Sequence, residues 1–239
     1  MNLVLDTGNT STKAAIFDNA ILIKKERLLS SDPETISHFT EGHAIDKAII
    51  SSVVRDPSAI LNFLKAEVRK VHLLTWRSHY PFKIEYDTPG TLGTDRLAAA
   101  AGALVRHPGR DILVIDAGSA LTVDLVAGGA YCGGSISPGL SMRFRALHEY
   151  TGRLPLVMPS GKFSFPGKST EDAIAGGVMT GIVYEINEYI RTFGKRHKKL
   201  ITVITGGDGE MIASHTVRVI YHYPDLVAEG LNYLLDTNA

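Results

Sequence analysis

One pattern is written twice in this chain, half a chain apart. Leu3-Val4-Leu5-Asp6-Thr7-Gly8-Asn9-Thr10-Ser11-Thr12 can be laid on Leu113-Val114-Ile115-Asp116-Ala117-Gly118-Ser119-Ala120-Leu121-Thr122, with Leu, Val, Asp, Gly and Thr recurring at matching places. Each copy reads as a buried strand, an Asp-x-Gly, a hydroxyl-rich turn and a second strand (Lys13 to Phe17; Val123 to Ala127). Two copies of one supersecondary unit point to duplication, and so to two halves that each present an aspartate and a glycine-bearing turn from a β-hairpin.

The remaining pattern fits two such halves. Strand-like runs at Ile21–Leu28, Lys47–Val53 and Lys70–Thr75 alternate with helix-like stretches around Pro33–Phe39 and Pro57–Arg69. Thr94 to Arg106, with its alanine run, has strong helix propensity. In the second half, Ala130–Ser137 continues the meander, and Ser169-Thr170-Glu171-Asp172 has the form of a capping box opening a helix to about Phe193. Strand Leu200–Thr205 runs into Gly206-Gly207-Asp208-Gly209, and Pro224 to Leu235 reads as a closing helix. Hairpins followed by alternating strands and helices imply an α/β fold of mixed sheets with helices on their faces. Pro108-Gly109 breaks the pattern, so the expected division is 1–110 and 111–239.

Composition excludes several classes. Lys plus Arg total 25 and Asp plus Glu total 25, so net charge gives no reason to expect nucleic acid or an anionic membrane as partner. The basic run Lys195 to Lys199 reads as a solvated helix end, favoured by the helix dipole. With Cys132 the only cysteine, an intrachain disulfide is impossible and a reducing compartment is expected. The chain opens on an apolar strand without a leader-like segment, and no apolar run has membrane-spanning length. The expected location is cytoplasmic.

Three motifs could carry chemistry. An aspartate at the end of a buried strand, followed by glycine and hydroxyls, suits a nucleotide phosphate and its metal. The glycine admits backbone N–H groups to the phosphate, and the carboxylate can hold Mg²⁺ directly or through water. Asp6, Thr7, Gly8, Asn9, Thr10, Ser11 and Thr12 fit that description, with Lys13 as a nearby point charge. A single copy could equally be a hairpin turn using Asp, Gly and Asn for local geometry; the second copy shifts the reading toward function. Gly93-Thr94-Asp95-Arg96 stands at a helix start, where orphan N–H groups favour an anion. Capping by Thr94, with Asp95 complementing the dipole, is the plain alternative, but Arg96 opposes the dipole unless something anionic meets it. Gly206 to Gly209 could let backbone approach a nucleotide, or form a turn.

Other chemistries fail on spacing. Gly167-Lys168-Ser169 ends like a phosphate-binding P-loop, but the required first glycine is missing: position 162 is Lys and Gly161 is one residue too early. The histidines show no ligand spacing, a single cysteine cannot build a structural zinc site, and Gly133-Gly134-Ser135-Ile136-Ser137 lacks the last glycine of a nucleophile elbow.

The blocks Asp6-Thr7-Gly8-Asn9-Thr10, Tyr86-x-x-Pro89-x-x-Leu92-Gly93-x-Asp95-Arg96 and Asp116 to Thr122 resemble those of the type III pantothenate kinases. Gly134-Ser135-Ile136-Ser137-Pro138-Gly139-Leu140 and Ser169-Thr170 match as well, so the resemblance runs along essentially the whole chain. That family belongs to the actin, sugar-kinase and Hsp70 superfamily. The resemblance therefore implies duplicated RNase H-like (actin-like ATPase) halves and ATP-dependent phosphorylation of pantothenate. It implies that Asp6 to Lys13 and Ser119 contact ATP, and that Asp6 serves Mg²⁺. Asp95 would be the general base; Tyr86, Gly93, Thr94, Asp95, Arg96 and Thr170 would bind pantothenate, with Arg96 opposite its carboxylate. Asp116 would hold a monovalent cation, K⁺ or NH₄⁺, and the protein would be a homodimer. Position 119 is usually Thr in the family; Ser119 keeps the hydroxyl. Within the superfamily a kinase for another small hydroxyl substrate stays open, as does a nucleotide-binding regulator without turnover. A regulator has no need of a base at Asp95.

Overall fold

The computed structural model describes residues 1–8, 11–52 and 57–239. In chain order the elements are β1 (Asn2–Thr7), β2 (Thr12–Asp18), β3 (Ile21–Leu28), α1 (Pro33–Thr40), β4 (Lys47–Ser52), α2 (Ser58–Glu67), β5 (Lys70–Leu73) and β6 (Lys83–Ile84). A 3-10 turn at Pro89–Thr91 leads to α3 (Thr94–Arg106), β7 (Ile112–Ala117), β8 (Ala120–Ala127), β9 (Ala130–Pro138) and α4 (Leu140–Glu149). Then come α5 (Thr170–Arg196), β10 (Ile201–Thr205), α6 (Gly209–Ala213), β11 (Tyr221–His222) and α7 (Leu226–Asn238). They assort into two units: residues 1–108, 129–131 and 225–239 form the first, and 109–128 with 132–224 the second.

The first unit has a five-stranded sheet in the order β3-β2-β1-β4-β5. β1 is antiparallel to β2 and parallel to β4, so it is the central strand and is buried on both faces. That explains its unbroken apolar run, which a half-exposed strand would not need. Leu3, Leu5, Ile16 and Ile50 share one core with Ile36 and Phe39 of α1 and Leu64 of α2. On β1 and β4, α7 packs beside α3. The two helices approach so closely that a Cβ on Gly230 would collide with the backbone of Ala98, and one on Gly102 with that of Leu226.

The second unit repeats the plan. Its sheet runs β11-β10-β7-β8-β9, with β7 antiparallel to β8 and parallel to β10. Leu113, Ile115, Leu121 and Val123 form its core with Phe144 of α4 and Ile174, Met179, Ile182 and Ile186 of α5. The duplicated hairpins keep corresponding registers: Asp6 lies opposite Lys13, and Asp116 opposite Thr122. On the parallel side each aspartate has a hydroxyl residue as neighbour, Ser51 for Asp6 and Thr205 for Asp116.

Most expected elements form where the periodicity places them. The Ser169 side chain accepts a hydrogen bond from Asp172 N at 3.1 Å, as a capping residue should. The basic run is a helix end, as expected: Lys195 and Arg196 lie in the last turn of α5, which extends three residues beyond Phe193. At Gly209 the glycine-rich stretch becomes α6, because Asp208 and Gly209 already make turn and helix hydrogen bonds.

Replacing Gly230 by Ala should destabilise the protein by about 1–3 kcal/mol, the usual cost of overpacking a tight contact. Chemical denaturation checks this; an unchanged midpoint would mean the α3–α7 approach is looser than described.

Candidate active site

In the first unit, Asp6 ends the central strand with its side chain only 18% exposed. Antiparallel pairing puts Lys13 across from it, with Lys13 Nζ at 4.0 Å from Asp6 Oδ2. Burial pushes the Asp6 carboxyl above its ordinary range; Lys13 pulls it down, the charge of Asp95 pushes it up, and a hydrogen bond from Ser51 lowers it. Two carboxylates are therefore close enough to feel each other, with one lysine to offset them. Beyond the strand, Gly8 N donates to Ser11 O at 3.0 Å, and Thr12 Oγ1 donates to Thr7 Oγ1 at 3.3 Å across the hairpin. Ser11 Oγ accepts from Arg27 Nε at 2.8 Å. The expected contacts Asn9 and Thr10 lie outside the described residues.

Asp95 stands in the first turn of α3. The helix is capped by Gly93, without a side-chain hydrogen bond, so the capping role considered for Thr94 is not the one it plays. Thr94 Oγ1 lies instead 3.0 Å from Ser51 Oγ. Asp95 Oδ1 accepts from Arg96 N at 2.9 Å, which folds the carboxylate back over the helix start. A Cβ at position 93 would meet that carboxylate oxygen, so any larger residue there would displace the Asp95 side chain from this position. Arg96 is 6% exposed, an unusual place for a guanidinium and one that depends on hydrogen-bonded partners. Tyr86, half-buried, meets the ring of fully buried Tyr131 at 6.3 Å.

The second unit carries the other expected residues. Asp116 lies near the end of β7, half-buried, with Gly118 and Gly206 close to its carboxylate. Gly206 has φ +92, a conformation open to glycine, and a Cβ there would run into Asp116 Oδ1 and Ala117 O. Asp208 N donates to Ala117 O at 3.1 Å, and burial pushes the Asp208 carboxyl upward. Thus the stretch from Gly206 to Asp208 is closed against the Asp116 turn, leaving a carboxylate among backbone groups and little side-chain bulk. Such a surrounding fits a weakly hydrated cation or the close approach of a phosphate. Gly139 N donates to Ser119 O at 3.2 Å. Ser119 and Thr170, both exposed, line one open groove of about 1360 Å³ between α4 and α5.

Sequence reasoning missed Ser51 and gave Asp208 no role of its own. For Ser51 the available signal was a hydroxyl at the end of a second apolar strand, whose importance depends on which strand lies beside β1.

Two mixed sheets, each with an aspartate near the end of its central hairpin and glycine-rich turns beside it, make up the fold of the actin-like ATPases. Among solved structures of this fold, a glucokinase of the ROK family from Streptomyces griseus, in complex with glucose and AMPPNP, is similar over 99% of this chain and 98% of its own, with TM-score 0.53 and 12% identity. A Campylobacter jejuni protein described as a candidate Baf family transcriptional activator is similar over 98% of this chain and 97% of its own, with TM-score 0.66 and 23% identity.

The family model for type III pantothenate kinase matches residues 2–192, and a type III pantothenate kinase of Christiangramia forsetii is 39% identical over 100% of this chain and 99% of its own. The chain belongs to the type III pantothenate kinase family.

Catalysis that needs ionised Asp6 should fail as pH falls through its raised pKa. The acid limb of kcat/KM for ATP should then lie above the ordinary carboxylate value of about 4. Since Lys13 lowers that pKa, Lys13→Met should move the limb to higher pH; a limb that stays or moves down would contradict the assignment.

Proposed function

We propose that the protein transfers the γ-phosphoryl group of ATP to the hydroxyl of pantothenate, giving 4'-phosphopantothenate in the first step of coenzyme A biosynthesis, with Asp95 as general base. The observation that carries this reading is the placement of Asp95: its carboxylate is folded over the start of α3, within electrostatic reach of Asp6 at the phosphate-loop strand end. Asp95 accepts the hydroxyl proton as the oxygen attacks the γ-phosphorus, the bond to the bridging oxygen breaks, and ADP departs. Phosphoryl transfer asks little else of the protein than positioning and charge neutralisation.

The other roles are those the family resemblance implies. Asp6 to Lys13 and Ser119 hold ATP. Mg²⁺ is usually held by one or two carboxylates together with substrate phosphates, and Asp6 supplies such a carboxylate. When bound, Mg²⁺ offsets charge on the phosphates. Asp116, ringed by Gly118 and Gly206, takes the monovalent cation, K⁺ or NH₄⁺, which adds positive charge beside the nucleotide. Tyr86, Gly93, Thr94, Arg96 and Thr170 bind pantothenate, with Arg96 opposite its carboxylate. The regulator reading is disfavoured because a protein without turnover has no use for a base held this way.

A homodimer is proposed as well. Supporting it, Met142, Tyr150 and Tyr184 are exposed on α4, just past its end and on α5 of the second unit, more apolar surface than a solvated helix pair needs. Among the described residues no helix is long and apolar enough to cross a membrane. We place the protein in the cytoplasm, where ATP is available.

Asp95→Asn should lower kcat by about 10²–10⁴-fold, the range for losing a general base, while ATP binding by calorimetry stays near wild type. Unchanged turnover would remove Asp95 from the role.

A further inference from the structure

Ser51 is not among the residues that the sequence marks for catalysis, yet its position is unusual. It is fully buried near the end of β4, and parallel register seats it beside Asp6. Its hydroxyl lies 3.0 Å from Thr94 Oγ1, and its place beside Asp6 lowers the pKa of that carboxyl. One buried hydroxyl thus joins the first turn of α3 to the strand neighbour of Asp6. Thr94 is the immediate neighbour of Asp95, and Gly93 before it leaves no side chain to brace the turn.

We propose that Ser51 is a positioning residue for phosphoryl transfer, its hydroxyl tying Thr94 to β4 beside Asp6 and so holding the Asp95 carboxylate at a fixed distance from the phosphate-binding strand end. This rests on the assignment of Asp6 and Asp95 to the reaction. The plain alternative is a buried strand serine that satisfies its own hydroxyl locally. It predicts effects on folding but none specific to turnover. Mispositioning of reacting groups by a fraction of an ångström is costly in rate, while ground-state binding of pantothenate, in which Ser51 has no direct part, is affected far less.

The test compares wild type, Ser51→Ala, Thr94→Val and the double variant, each assayed for phosphopantothenate and checked by thermal melting and ATP-binding stoichiometry. Ser51→Ala should lower kcat about 10- to 100-fold, the scale of losing a hydrogen bond to a charged group, with KM for pantothenate within about threefold. Thr94→Val should reduce kcat as well, breaking the same link from its other end. Because both act through one bond, the double variant should be only slightly slower than the worse single variant. The proposal is overturned if Ser51→Ala leaves kcat within about twofold of wild type, or if the two effects multiply as independent losses. A loss confined to melting temperature or to the fraction that binds ATP would equally overturn it, in favour of the structural role. Failure of the underlying assignment looks different: wild type itself would then make no phosphopantothenate.

Discussion

The geometry of this protein depends on a carboxylate kept where water would not leave it unassisted. Asp6 sits at the end of the most buried strand of its sheet, and burial raises the cost of its charge. A second carboxylate, Asp95, adds to that cost, while Lys13 and Ser51 offset it. In a hairpin whose only task was to turn the chain, such an arrangement would be a poor choice. It becomes sensible where a strongly anionic substrate arrives with a divalent cation, since the cation reverses the sign of the local field. The unfavourable electrostatics of the free protein are thus an indication of what it binds.

Within each unit, glycine beside an aspartate is used to remove bulk rather than to add flexibility. Gly93 makes room for the Asp95 carboxylate, and Gly206 makes room for Asp116. The same device recurs away from the chemistry, where Gly102 and Gly230 let α3 and α7 close on each other. α3 therefore has one end at Asp95 and its middle locked against a helix from the far end of the chain. Rigid anchoring of the helix fixes the direction of its first turn, from which Asp95 and Thr94 project.

Much of this was legible in the sequence, for specific reasons. The paired Asp-x-Gly hairpins could be read because their strands are buried on both faces and so spell continuous apolar runs. The alanine run of α3 and the Ser169 cap spoke equally plainly. α4 was not foreseen, since only Leu140 and Phe144 of its ten residues are buried and its polar remainder gives weak periodicity. That α7 belongs with the first unit could not be read either, because nothing local in Leu226–Asn238 says which sheet it covers. The link from Ser51 to Asp6 and Thr94 joins three segments far apart in sequence. It exists only through the parallel register of β1 and β4 and the approach of α3, and a lone serine carries no trace of either.

The most direct measurement is to incubate the protein with pantothenate and Mg·ATP in K⁺ or in Na⁺ and follow phosphopantothenate and ADP by mass spectrometry. Stoichiometric phosphopantothenate and ADP should form in K⁺, and much less of both in Na⁺. ATP binding without phosphopantothenate in either salt would contradict it and leave the fold without the kinase.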